Sequence, residues 1–545
     1  MNMKKIMCLL LALALCVTMF AACGNGGETS KVEESKTEET KTEETTEEGG
    51  EAESELIDVL NQEETLPVSF CYMTGFTQSD SQMEKMFEEK YNLDITLEIL
   101  PGWSDGAAKI SLLMASDNIP NIMWWWGMEA EYTKWVEAGL LLDVSEYMDK
   151  YTNIRDYYNK MDERTLFYAA TSDGKMYRIP GDVSEPSCQV LWIRETWLNN
   201  LGLEVPKTLD ELEEVMRAFT EDDPDGNGKK DTYGLGGDGY EMRSFWPWLQ
   251  AYDYAWYNSW VVDGEGNVDY GPATDGYKQA IGRIAENYAK GYITPSIITD
   301  TNRDEELASG AFGVTYSWCA WNNPDSAPML AFYSTFPDEK WIPIEMVEGP
   351  TGNKADCPDS VAAWAYFGLT KSCPDPERLY ATYDDMGSNE NYIERRFGRE
   401  GEHYTFDENG VYQAIVAPGS EANNSQNIGL MIFDNCFNRK DECNIQNTPE
   451  TTALFNRSSA SSRSSYDQRI EWKDPAAFTT WLEYQADIEG QRDQYIWAVI
   501  AGQDSIDNWD NYIATLNSMG LEECKAEAAE LYVAQKAEME AYLAG

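Results

Sequence analysis

One histidine, His403, stands in the whole chain of 545 residues. A Ser-His-Asp or Cys-His enzyme would have to be built on it, and it lies in a Gly- and Glu-rich turn. No Cys-x-x-Cys pair is present, which removes support for a thioredoxin-type site or a zinc ribbon. No Walker-type phosphate loop is present either. Basic residues are scarce, 41 Lys and Arg against 96 Asp and Glu, for a net charge of −55. Such a surface repels phosphate backbones, so nucleic acid is excluded as a natural partner. No repeat at a fixed period is visible. The apolar run Ile6–Phe20 is too short to be read as a membrane-spanning helix.

That run carries the first positive signal. Lys4 and Lys5 precede it, and the small residues Ala21 and Ala22 follow it. The layout is an export signal. The next residue, Cys23, resembles the modified cysteine of a bacterial lipobox, although Phe20 stands where that motif usually has leucine. The resemblance implies cleavage after residue 22, a diacylglycerol on the Cys23 thiol, and an anchor on the outer face of the cell membrane. Gly24–Glu64 then holds fifteen acidic residues, three lysines and almost nothing apolar before Leu56. Such a stretch cannot bury enough surface to offset its ordering entropy. It reads as an extended acidic tether, residues 23–65.

Roughly 480 residues follow, too many for one core and suited to two or three domains. Eight cysteines are scattered through them, and a body of this size needs no disulfide framework. Cys436 and Cys443 are near enough to bridge across a loop, and spacing leaves that open. The local pattern begins β-α-β-α-β. Strands are expected at Leu66–Met73, Leu93–Leu100 and Ile119–Trp125, and helices at Ser79–Tyr91 and Ala107–Ala115. That order implies a mostly parallel sheet covered by helices. Further strands are expected at Val190–Arg194, Ala311–Tyr316 and Val361–Leu369. Helices are expected at Glu195–Leu201, at Thr208–Phe219 behind a capping box, near Asp375-Pro376 and at Glu522–Leu543.

Several segments together resemble one family. They are Asp173–Pro180, Trp192–Gly202, Pro206–Leu212, Asp223–Asp231, Gly398–Tyr404 with Asp407–Gly410, and Trp509–Tyr512 running to Gly520. In this order they are similar to the lipid-anchored, sugar-binding branch of the extracellular solute-binding proteins of ABC-type importers. The resemblance implies an α/β, periplasmic-binding-protein-like fold with two lobes, a central ligand cleft and crossover strands. It places lobe 1 at 66–180 and 306–368 and lobe 2 at 181–305 and 369–545, with crossings near Ile179, Ala308 and Leu369. It also implies a monomeric carrier that closes on a carbohydrate, performs no chemistry and delivers to permease subunits. The acidic body and abundant tryptophan favour a neutral oligosaccharide. The competing reading is a surface glycoside hydrolase using a carboxylate pair.

Pyranose rings stack an apolar face on aromatic planes, and clefts of open α/β sheets collect ligands at strand carboxyl ends. Trp124 and Trp125, within the run Trp124–Trp126, end one expected strand, Trp318 and Trp321 follow another, and Trp246 belongs to a third cluster. These five are the expected stacking platforms, with Gln78 and Asp80, just after the first strand, for hydroxyls. An isolated tryptophan is otherwise a core residue. Asp223, Asp225, Asn227 and Asp231 occupy positions 1, 3, 5 and 9 of an EF-hand-like loop, with Gly228 at the turn and the Lys229 carbonyl at 7. Oxygen donors at this spacing suit a structural calcium away from the cleft. The twelfth position, usually a bidentate Glu, is Gly234. Gly234–Gly239 also spells Gly-x-Gly-x-x-Gly, a weak signal alone. No cofactor for catalysis is expected.

Overall fold

The computed structural model describes residues 56, 58–73, 79, 81–182, 189–253, 255, 257–299, 303–318, 327–352, 362–363, 365–388, 391, 399–402, 404–407, 412–415 and 468–544. The export signal, Cys23, most of the tether, His403, Cys436 and Cys443 lie outside them.

The first lobe opens with β1 (Leu66–Met73), α1 (Gln82–Tyr91), β2 (Leu93–Leu100), α2 (Trp103–Met114) and β3 (Ile122–Trp126). β1 is apolar almost throughout, as befits a central strand buried on both faces. β2 alternates at its start, with Leu93 and Ile95 buried between exposed Asp94 and Thr96. Ser81 caps α1 by accepting from Glu84 N at 3.1 Å, and left-handed Asn92 (φ 51°) turns the chain into β2. β1 runs parallel to β2 along its whole length and parallel to β3 on its other side. Four short helices follow: α3 (Glu129–Glu137), α4 (Ser145–Lys150), α5 (Asn153–Met161) and α6 (Arg164–Ala169). The chain then forms β4 (Ile179–Asp182).

The second lobe begins with β5 (Gln189–Arg194), α7 (Glu195–Leu201), α8 (Leu209–Glu221) and β6 (Tyr233–Leu235). Next come α9 (Trp246–Leu249), the hairpin β7 (Trp260–Val262) and β8 (Val268–Tyr270), α10 (Asp275–Ala289) and α11 (Arg303–Ser309). β9 (Phe312–Trp318), α12 (Ala327–Thr335) and β10 (Trp341–Ile344) complete this passage. The chain returns to the first sheet as β11 (Ala365–Leu369) and α13 (Pro376–Met386). A separate hairpin joins β12 (Tyr404–Phe406) to β13 (Tyr412–Ala414). Three last helices, α14 (Thr479–Ile500), α15 (Trp509–Ser518) and α16 (Leu521–Leu543), bury residues in the second core.

The first sheet has the order β2-β1-β3-β11-β4 and the second β10-β5-β9-β6. Each carries its own hydrophobic core. This settles the lobes differently from the expected boundaries. Residues 306–344 do not return to the first lobe, because β9 pairs with β5 and β6 and β10 pairs with β5. Nor do residues 369–386 leave it, since Leu379, Tyr380 and Tyr383 of α13 pack into the core around β1 and β3. The return lies between Ile344 and Ala365. A strand as apolar as β9 carries no local mark of which sheet receives it; only long-range register decides. No helix among the described residues is long and apolar enough to cross a membrane.

Candidate functional site

Strand register shows which sheet edges the chain joins. In the first sheet Ala365 of β11 stands opposite Trp126 and Leu369 opposite Ile122, so β11 enters at the carboxyl end of β3. β4 leaves from the same edge, with Asp182 opposite Ala365. In the second sheet Gln189 stands opposite Trp318, so β5 enters at the carboxyl end of β9. β10 leaves by that edge too, with Ile344 opposite Leu191. Both crossings therefore join the carboxyl edge of one sheet to the carboxyl edge of the other. The seven steps from Asp182 to Gln189 span at most about 25 Å. The carboxyl edges are held within that reach, where α/β sheets bind ligands.

On the first edge the half-buried aromatic is Trp126. Its ring lies 5.1 Å from that of Trp124 and close over α2, where a Cβ on Gly106 would come within 2.6 Å of it. Behind it, Arg178 is clamped between the Tyr132 and Tyr366 rings at 4.2 and 4.0 Å. The guanidinium pairs with Glu129 at 2.5 Å and donates to the Tyr168 and Ala169 carbonyls. This clamp fixes α3 to the crossing strands.

On the second edge the chain leaves β6 through Gly236-Gly237-Asp238-Gly239. A Cβ on Gly236 would meet the Phe312 ring at 2.1 Å, and one on Gly239 the Ile297 carbonyl at 2.0 Å. Asp238 N donates to Ser244 Oγ at 2.7 Å, and Ser244 N returns a bond to the Asp238 carbonyl at 3.1 Å. Met242 holds φ 54°, a strained value of the kind that gathers at binding sites. This tight loop presents the Asp238–Arg243 ion pair, 3.1 Å long, with side chains only 11 and 12% exposed. Arg303 of α11 pairs with Asp304 at 2.5 Å. Burial pulls its guanidinium below the usual arginine range, nearby Arg243 adds to that, and Asp304 and Asp238 oppose it. Half-buried Trp246 completes the edge, its ring 6.4 Å from Tyr316.

Trp124 and Trp125 are not platforms. They are 1% and 0% exposed. Trp124 packs on Tyr72, and Trp125 is enclosed by Tyr132, Trp135 and Tyr366. A ring with both faces covered has none to offer a sugar. Trp246 does lie on the edge. Trp318 ends β9 beside the crossing, its side chain outside the described set, and Gln78, Asp80 and Trp321 lie wholly outside it. Trp126 belongs to the expected run Trp124–Trp126 but is not among the five expected platforms, and the placement of Asp238 and Arg243 on this edge was not expected. The glycines of Gly234–Gly239 were the available signal: the pattern starts inside β6, and its glycines permit close backbone approach. A second pattern, Gly-x-Ser-x-Gly at Gly102–Gly106, places Ser104 within α2 rather than at a strand-to-helix elbow.

The acidic loop joins α8 to the amino end of β6, away from this edge. Asp223 adopts φ 54° and accepts Gly228 N, and Asn227 donates to Asp225 at 2.7 Å and to Asp231 at 3.1 Å. Burial raises the Asp225 carboxyl above its ordinary range, and the charges of Asp231 and Asp223 add to this. A cation would relieve that crowding, and carboxylate, amide and backbone-carbonyl oxygens are the donor types that calcium takes. At Gly234 a Cβ would lie 2.5 Å from Met216, so no glutamate fits the twelfth position. Among the described residues no three His, Cys, Asp or Glu side chains converge as a metal group.

Residues 82–370 match the family model described as bacterial extracellular solute-binding protein. The chain is 27% identical over 336 residues to the polygalacturonan/rhamnogalacturonan-binding protein YtcQ of Bacillus subtilis, covering 59% of this chain and 62% of that one. It is 28% identical over 299 residues to the fructooligosaccharide ABC transporter substrate-binding protein FusA of Streptococcus pneumoniae, 52% of this chain and 49% of that one. It is 32% identical over 213 residues to the lipoprotein LipO of Bacillus subtilis, 38% and 40% of the two chains. The matches thus span about two fifths to three fifths of these relatives. An extracellular solute-binding protein of Bifidobacterium longum subsp. infantis superposes with TM-score 0.69 at 19% identity, covering 86% of this chain and 98% of that one. An EF-hand mutant of FusA in complex with fructo-nystose gives 0.66 at 18%, covering 87% and 100%. At these identities the structures establish the fold.

Proposed function

Because the chain belongs to the bacterial extracellular solute-binding proteins, we propose that it captures an oligosaccharide between its lobes and hands it, unaltered, to the permease of an ABC importer. The observation that carries this reading is that β4 and β5, and β10 and β11, are consecutive strands whose adjoining ends lie at the carboxyl edges of the two sheets. An aromatic stands on each side, and a strained loop holds a buried ion pair. Trp126 and Trp246 would stack on the apolar faces of sugar rings, and Asp238 and Arg243 would bond hydroxyls. Closure needs no chemistry, only tighter binding by the shut form than by the open one. Relatives named for polygalacturonan and for fructooligosaccharide support a carbohydrate.

Cys23 would carry the lipid that holds the protein at the outer face of the membrane; a relative named as a lipoprotein supports this. Asp223, Asp225, Asn227 and Asp231, with the Lys229 carbonyl, would hold calcium as a brace between α8 and β6; a fold relative described as an EF-hand mutant supports it.

The test is a thermal-shift screen of the protein against fructo-oligosaccharides, oligogalacturonides and other glycans, followed by calorimetry and product analysis. A ligand at a hundred times its dissociation constant should add about 2.7 kcal/mol of stability. Binding with the glycan recovered intact is the expected result. Release of shortened sugars would establish the hydrolase instead. Absence of any glycan shift would remove the carbohydrate reading.

A further inference from the structure

The two lobes also meet beside the crossings, through the last turns of α16. That helix is rooted in the second core by Leu521, Cys524 and Ala528. Its far end reaches α6 of the first lobe. There the short helix faces two ways. Leu166 and Ala169 enter the first core, whereas Phe167 and Tyr168 form a separate small cluster with Ala362 and Met539. The Phe167 ring lies 5.5 Å from that of Tyr542. It also lies 4.2 Å from Lys473 Nζ, a cation on the second-lobe segment leading into α14. Lys473 is only 9% exposed and pairs with Glu538 of α16. The segment is tied to the same helix by Lys473 N donating to Gln535 Oε1 and Gln535 Nε2 donating to the Glu471 carbonyl, both 2.7 Å. Glu471 in turn accepts Ala362 N at 2.9 Å, shortly before β11. α6 packs against β4, where the first crossing starts.

A nearly buried ammonium needs its partners. One of them, the Phe167 face, belongs to the first lobe; the other, Glu538, belongs to the second. Rotation of the lobes about the crossings either carries this joint along or strips the cation from the ring. Packed joints of this kind switch between discrete arrangements rather than stretch. We infer that the Phe167–Lys473–Glu538–Tyr542 joint is a hinge stop: it fixes the resting angle between the lobes and so tunes ligand affinity without offering a group to the ligand. The inference rests on the two-lobed binder proposed above.

Tyr542→Ala and Glu538→Gln in the full chain test it, with Tyr542→Phe as the conservative control. Hydrogen–deuterium exchange should rise in α6 and across the crossing segments 179–194 and 362–369 while both cores keep their protection. For the glycan bound by the native chain, the dissociation constant should change about fivefold or more, with the ranking of glycans unaltered; Tyr542→Phe should restore both. Unchanged exchange at the crossings with unchanged affinity overturns the hinge stop, as does loss of protection throughout the second core, which would make the joint merely structural. If no glycan binds the native chain, the carbohydrate reading fails while the exchange arm still decides the hinge stop.

Discussion

Trp125 and Trp246 are the same side chain in different surroundings, and a different role is proposed for each. Trp125 touches aromatic rings on several sides and fills the first core. Trp125→Ala should therefore cost about 3–5 kcal/mol of unfolding free energy, read by chemical denaturation, with the ranking of glycans kept in whatever folded fraction remains. Trp246 is half-buried on the second edge. Trp246→Ala should weaken glycan binding tenfold or more and shift Tm little; intact binding would remove it from the site. Asp384 is a third case. Its carboxylate caps α5, accepting Ile154 N at 2.9 Å and Asn153 N at 3.2 Å. Burial nevertheless pushes its pKa up to about 6, against the lowering effect of these bonds. Because the folded value lies above the unfolded one, the native chain holds a proton that the unfolded chain has released between about pH 4 and 6. This contribution to stability is full below about pH 4 and is lost as pH rises through 6. Each pH unit between the two values is worth about 1.4 kcal/mol. Asp384→Asn should flatten that part of a denaturation-versus-pH curve.

Elements were legible wherever a local signal was strong. β1, β2 and α7 fall on the residues expected for them, and α8 opens with its capping box: Glu211 N donates to Thr208 Oγ1 at 3.2 Å and Thr208 N donates to Glu211 Oε2 at 3.2 Å. Thr208→Ala should lower stability by about 1 kcal/mol, visible as a shift in denaturation midpoint without a change in slope. Termini drifted where no cap marks them. α2 starts at Trp103 rather than Ala107, because Gly102 at φ 137° lets the chain turn directly into the helix. β3 starts at Ile122 rather than Ile119, since only from there does the chain pair with its neighbours. The acidic loop was legible as a donor pattern, and its twelfth residue is explained by the close approach of Met216. Calcium in excess should raise Tm, and Asp223→Asn with Asp231→Asn should abolish that rise. No calcium-dependent shift in the native chain would remove the brace.

At the scale of the whole molecule, charge and connectivity dominate. A net charge of −55 repels polyanions within a Debye length of the surface, a reach that grows as salt is lowered. Neutral oligosaccharides should therefore bind more tightly than oligogalacturonides of equal length, with the gap narrowing as salt is added. Tighter binding of the galacturonide at low salt would show that Arg243 and its surroundings overrule the global field. Connectivity was only half visible. The order β-α-β-α-β correctly implied parallel pairing of β1, β2 and β3, yet the chain's return to the first sheet lies beyond β10 rather than near Ala308. β9 and β10 could have joined either sheet on their own pattern.

The sequence alone determined the alternation of strands and helices, the caps, the acidic loop and the family, because these are written in spacing and in residue type along a few turns of chain. Which sheet received β9, which tryptophans lost both faces to the core, and which glycine loop came to the edge beside Arg243 were decided by the tertiary structure. Each depends on residues separated by tens to hundreds of positions, and an apolar side chain carries no record of which distant surface will cover it.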